Sequence, residues 1–208
     1  MLVNLKGPPF QRKFFIIKLI MKSIKTFVLG LSLFTFSASF AQNMQDSKPV
    51  TVGGAAMYAT KNIVENAVNS NDHTTLVAAV KAAGLVETLA GTGPFTVFAP
   101  TNEAFNKLPK GTVETLVKPE NKAMLTSILT YHVVAGKLDS KELARLIKEG
   151  NGKTELTTVQ GGKLWLMMKG NNIQIKDEKG GMSTVTIKDV YQSNGVIHVV
   201  DTVVLPKA

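Results

Sequence analysis

The spacing of hydrophobic positions changes once along this chain, near Gly150. Before it, apolar residues recur at steps of three and four, the period of an amphipathic helix. After it they alternate or run in short blocks, the period of strands. Ile63, Val64, Ala67 and Val68 predict a helix within Met57–Ser70. Asp72 is placed to cap a second helix, in which Leu76, Val80 and Ala83 share a face and Gly84 stops the run. Phe95–Ala99 reads as a short apolar strand closed by Pro100, and Thr101 or Asn102 then caps a brief helix carrying Ala104 and Phe105. Gly111–Val117 predicts another short helix. Pro119 suits a first helical position, and Met124, Leu125, Ile128, Leu129 and His132 fall on one face beyond it. Asp139-Ser140-Lys141-Glu142 has the form of a capping box in front of Leu143–Lys148.

The strand candidates are Leu156–Val159, Lys163–Lys169, Ile173–Lys176, Ser183–Asp189 and Val196–Leu205. Gly161-Gly162, Gly170-Asn171-Asn172 and Gly180-Gly181 supply turns between them. Helices mainly first and strands mainly later define an α+β domain. No internal repeat is visible.

The first 41 residues follow a different pattern. Met21 opens a stretch with a basic head at Lys22 and Lys25, a short apolar run over Phe27–Phe36, and the small residues Ser39 and Ala41 at the positions a signal peptidase reads. The expectation is a secretory signal cleaved after Ala41, with Met1–Ile20 an additional N-terminal extension. The apolar run is short for a membrane span, which needs about 20 residues, so no stable membrane insertion is expected after cleavage. Gln42–Tyr58 reads as a flexible leader, polar at first and without apolar period. Residues 59–206 form the domain.

Cleavage changes the meaning of the charge. The whole chain has 24 basic and 15 acidic residues, a formal net charge of +9. Six of the basic residues and none of the acids precede Gln42, which leaves 18 basic and 15 acidic residues, net +3. The remaining lysines are scattered, so nucleic acid is not an expected partner. There is no cysteine. Disulfides, thiolate catalysis and Cys-bound zinc are therefore excluded.

Three segments carry more specific information: TVFAPTNEAF at Thr96–Phe105, Tyr131-His132 within LTYHVVAGK, and NGVIHVVDTVVLP at Asn194–Pro206. In order and spacing they resemble the fasciclin domain, a secreted module of about 140 residues, over roughly Ala59–Pro206. The resemblance implies a wedge-like β-sandwich flanked by helices. It also implies non-enzymatic adhesion to a surface or matrix macromolecule, protein or polysaccharide. Its motif residues here are Thr96, Phe98, Pro100, Thr101, Asn102, Phe105, Tyr131, His132, His198 and Asp201. Near the Tyr-His pair, Lys137, Lys141 and Arg145 are the candidate partner-binding charges.

Two readings fit His132, which its helical phase turns inward: a ligand or metal contact, or a core imidazole tying helix to strand. The second is preferred, because buried polar groups are normally satisfied. His198 and Asp201 lie three apart in a strand, on opposite faces, and so form no direct pair. Asp201 falls among aliphatic positions, with Thr101 and Asn102 as plausible hydrogen-bond partners. Alanine at Asp201 or His132 is therefore expected to act on folding. His73, His132 and His198 lack metal-ligand spacing, and neither a nucleophile elbow nor a phosphate loop is present, so no cofactor, metal or catalytic set is expected. Trp165, within Leu164–Met168, reads as core. The alternative is an apolar cleft near Trp165 or His132 that carries a small ligand.

Overall fold

The computed structural model describes residues 48–207. The expected signal peptide and cleavage point lie outside them, as do residues 42–47 of the leader.

The rest of that leader has structure. Val50–Val52 (β1) and Ala55–Met57 (β2) pair as an antiparallel hairpin. Val52 and Met57 are buried in the core. Three-residue strands are too short to show a period, which is why composition alone reads as linker.

Helix α1 is confined to Ile63–Ala67 by its cap. The Asn62 carboxamide accepts the Glu65 N–H at 2.9 Å, and the Glu65 carboxylate accepts the Asn62 N–H at 2.7 Å. Helix α2 spans Thr74–Ala83, preceded by a 3₁₀ turn at Asn71–His73. Gly84 ends it in the left-handed region, as its position predicts. Asp72 does not cap it. Asn102 does so from a distant segment, accepting the Thr75 N–H at 3.0 Å and the Thr74 hydroxyl at 3.2 Å. Then follow α3 (Val86–Ala90), β3 (Phe95–Pro100), α4 (Asn102–Asn106) and α5 (Thr112–Leu116). Thr101 caps α4 through the Ala104 N–H. Pro119 opens a 3₁₀ turn that leads into α6 (Lys122–Tyr131). Strand β4 (Val133–Ala135) precedes α7 (Ser140–Glu149). Asp139 caps α7 by accepting the Glu142 N–H, but the Glu142 side chain pairs forward with Arg145 instead of closing a capping box.

The last strands are β5 (Lys153–Thr157), β6 (Lys163–Lys169), β7 (Asn172–Lys176), β8 (Met182–Gln192) and β9 (Gly195–Val200). They join β3 and β4 in one seven-stranded sheet of order β4-β3-β9-β8-β7-β6-β5. Only β3 and β9 run parallel; the other pairs are antiparallel. The sandwich is this single sheet folded over on itself. Long β8 is the corner: its first residues pair with β7 and the rest with β9. Register shifts between Val185 and Val190 let it bend, and Asp189 there has φ of 61°. The two edges nearly meet, through a bridge from Val134 to Thr158 and a 2.7 Å bond from the Val159 N–H to the Val133 carbonyl.

Two cores result. Between the sheet and the helices pack Val97, Ala99, Ile197 and Val199 with Ile63, Leu76, Val80, Leu125 and Leu129. Inside the folded sheet pack Phe98, Leu164, Leu166, Ile175, Val185 and Val200, with Tyr131 and with Leu143 and Ile147 of α7. Adjacent residues of β3 and β9 therefore serve opposite cores, and every residue of β9 is buried.

Candidate functional site

The three motif segments, far apart in sequence, are brought side by side: β3 lies between β4 and β9. Their side chains bind them together. Thr96 is fully buried, donates its hydroxyl to the Gly136 carbonyl at 2.7 Å and accepts the Leu138 N–H at 2.9 Å. Phe98 is equally buried and stacks on His198 with ring centroids 5.8 Å apart. Pro100 closes β3, and Phe105 is buried against the helix-side core.

Tyr131 sits inside the sheet with no exposed surface. Its hydroxyl donates to the Lys163 carbonyl at 2.6 Å and accepts the Glu178 N–H at 3.1 Å. Burial pushes its pKa up to about 12. His132 ends α6. Its Nδ1–H donates to the Ile128 carbonyl at 2.8 Å, and its Nε2 accepts the Val204 N–H at 3.2 Å. Burial lowers its pKa to about 4. The tying histidine expected from helical phase is present, although its far partner lies beyond β9.

His198 is also locked: Nε2–H donates to the Leu138 carbonyl at 2.8 Å, and Nδ1 accepts the Asp189 N–H at 3.3 Å. Burial holds its pKa below the usual histidine range. His198 and Asp201 make no hydrogen bond to each other, but not for the expected reason, because Asp201 lies past the end of β9.

The surroundings of Asp201 differ from expectation. Strand β9 stops at Val200 and the chain bends, so the alternation never reaches residue 201. Asp201 is half-buried among polar groups, not aliphatics. It accepts the Thr184 N–H at 2.8 Å and the Thr202 hydroxyl at 3.0 Å, and Lys107 lies 3.7 Å away. Burial alone would raise its pKa, but these hydrogen bonds and Lys107 hold it below the ordinary carboxylate range. Thr101 and Asn102 are occupied as caps and do not reach it.

Trp165 is also misplaced by the sequence reading. Leu164 and Leu166 point into the sheet, which turns Trp165 outward. There its indole N–H donates to Glu155 at 3.0 Å, and the Lys153 ammonium lies 5.4 Å from the ring centroid. An apolar cavity does exist beside His132, bordered by α2, β3 and β9, but Trp165 does not line it.

Of the three candidate surface charges, Lys137 lies over the Tyr191 ring at 5.0 Å, Lys141 is exposed, and Arg145 is held by Glu142 and Glu149 at 2.5 Å each. Among the described residues no cluster of His, Cys, Asp and Glu fit for a metal occurs, and no helix is long and apolar enough to cross a membrane.

Sequence reasoning passed over Asn194 and Asp177. The Asn194 carboxamide accepts the Ile63 N–H at 3.0 Å and donates to the Leu89 and Gly91 carbonyls, joining three segments. Buried Asp177 accepts the Gly181 N–H at 2.6 Å within its turn and the Leu205 N–H at 2.9 Å from the chain end. An Asp four residues before Gly181 is a turn signal that was available, but the reach to Leu205 was not.

This knot of three strands coincides with a family signature: the fasciclin domain model matches residues 71–206. The chain belongs to the fasciclin family. A fasciclin relative, protein sll1483 of Synechocystis sp., is 43% identical over 181 residues, covering 87% of this chain and 93% of its own. The transforming growth factor-beta-induced protein ig-h3 of Sus scrofa is 38% identical over 138 residues, 66% of this chain but 18% of that longer protein. Among solved structures, a FAS1 domain pair from the insect cell adhesion molecule fasciclin I aligns with a TM-score of 0.63 at 20% identity. The match covers 70% of this chain and 51% of that one, and shows the shared fold.

Proposed function

We propose that this fasciclin domain is an exported adhesion module that binds a surface or matrix macromolecule and performs no chemistry. The observation that carries the reading is the occupation of its motif polar groups. Thr96, Tyr131, His132 and His198 are all buried, and each has protein partners. They build the fold, and none of these four side chains is left free to act as a nucleophile or a base. The insect protein of the same fold is a cell adhesion molecule, which supports the same role here.

The exposed surface nearest the motif knot carries Lys137, Lys141 and Arg145, and these are the proposed contact residues. Arg145 is already neutralised by two glutamates, so Lys137 and Lys141 make the stronger contribution. Contacts of this kind weaken with salt. The test is retention of cells or matrix by beads coated with the domain, compared with the Lys137→Ala/Lys141→Ala/Arg145→Ala variant. Salt-sensitive adhesion that drops in a variant of unchanged melting temperature is expected. Equal adhesion by both would remove these residues from the site. No adhesion by the unaltered domain to any envelope or matrix fraction would overturn the function.

A further inference from the structure

Helices α1, α2 and α3 do not close fully on the outer face of β3 and β9. A cavity of about 70 Å³ remains, walled by Leu76 and Val80 of α2, Leu89 of α3, Val97 of β3 and Ile197 of β9. Val68 and Lys81 also border it, and both are exposed, so it reaches the surface beside them. A single water needs roughly 10–15 Å³, so the space suits a small ring of several non-hydrogen atoms.

Two buried imidazoles, His73 and His132, interrupt the apolar lining. His73 borders the cavity with only 3% of its surface exposed. Its Nδ1 lies 2.9 Å from the Ser70 hydroxyl. Its Nε2 is the buried side-chain nitrogen or oxygen that lacks a hydrogen-bond partner among the described residues. The Ala99 carbonyl acts on the ring as a weak hydrogen-bond acceptor that raises its pKa, by less than burial lowers it, and it completes no hydrogen bond of normal geometry to Nε2. His132 borders the same space with both nitrogens paired.

Buried polar groups are rarely left unpaired, and a mostly apolar pocket with a few placed polar groups is the usual form of a small-molecule site. In a neutral imidazole one nitrogen donates and the other accepts. The Ala99 carbonyl beside the ring can only accept and so favours the proton on Nε2, and in that tautomer the Ser70 hydroxyl donates to Nδ1. The complementary group is an acceptor. Apolar walls disfavour an ionised one.

We propose that this cavity binds a small neutral apolar molecule bearing one acceptor oxygen, which takes the hydrogen bond of His73 Nε2–H. The site is separate from the adhesive surface, and its outcome does not depend on that reading.

The test is NMR titration of the isotope-labelled protein with cyclohexanone and, separately, with methylenecyclohexane, the same ring with a CH₂ in place of the oxygen. Both probes are expected to shift the amides of Leu76, Val97 and Ile197. The ketone should bind at least about fivefold more tightly, the worth of one net hydrogen bond, and should move the His73 Nε2 resonance. His73→Phe should abolish that preference. Ala67→Phe, from the half-buried cavity wall on α1, should block both probes. Equal affinities in the unaltered protein, or shifts confined to other surfaces, would overturn the proposal even if His73→Phe failed to fold.

Discussion

The His132 imidazole shows how one side chain joins distant parts of this chain. It ties the end of α6 to Val204, 72 residues away. His132→Ala removes the partner of a buried carbonyl and a buried N–H. A loss of about 1–3 kcal/mol is expected, read as a lowered urea midpoint at unchanged slope. Tyr131→Phe strips the hydroxyl shared by Lys163 and Glu178 and should cost a similar amount. Asp201→Ala should cost less, about 1 kcal/mol, because half-exposed groups recover hydrogen bonds from water. A variant that melts normally but loses binding would place that residue in a functional site instead.

Among the elements, the caps are the most instructive. Helix α2 takes its cap from Asn102, which also donates to the Asn71 carbonyl at 2.8 Å. Asn102→Ala is expected to cost about 1 kcal/mol. Hydrogen exchange should accelerate in the first turn of α2 before it does in the sheet; uniform acceleration would contradict a local role. The start of the β3–β9 pair is tighter still. A Cβ on Gly195 would stand 2.1 Å from the Phe95 carbonyl oxygen. Gly195→Ala must separate two buried parallel strands, and it should lower the melting temperature far more than a typical surface change.

The whole molecule buries all three of its histidines: His73, His132 and His198. Burial, the largest cause in each case, lowers all three pKa values, that of His132 to about 4. Below pH ~6.5 the unfolded chain takes up protons that the folded chain refuses. Stability is therefore full above that pH and falls as pH drops toward 4. For His132 the slope approaches about 1.4 kcal/mol per pH unit between its unfolded and folded pKa values, and His73 and His198 add in the same direction. Asp139 and Glu178 also hold lowered pKa values, chiefly through backbone N–H groups, and add to the loss on further acidification. At the other end, Tyr131 is raised to about 12, so its contribution is complete below pH ~10 and is lost as pH rises through 12. Melts between pH 8 and 4.5 should show the acid decline; a flat profile would mean that the histidines titrate freely in the folded state.

The switch of period near Gly150, the caps Thr101 and Asp139, and the inward phase of His132 were legible because each depends on neighbours within a few residues. The three motif segments were also legible as a family signature, and family membership follows from them. Strand β4 and the β1–β2 hairpin were not, since three-residue strands have no period to read. The polar cradle of Asp201 was hidden because β9 bends after Val200. The outward turn of Trp165 was hidden because a strand apolar on both faces does not say which face meets the core. Asn102 reaching α2, Asp177 reaching Leu205 and the unpaired nitrogen of His73 inside a cavity belong to tertiary structure alone. They join residues whose separation along the chain leaves no local trace, and only the folding of one sheet over itself decides which of them meet.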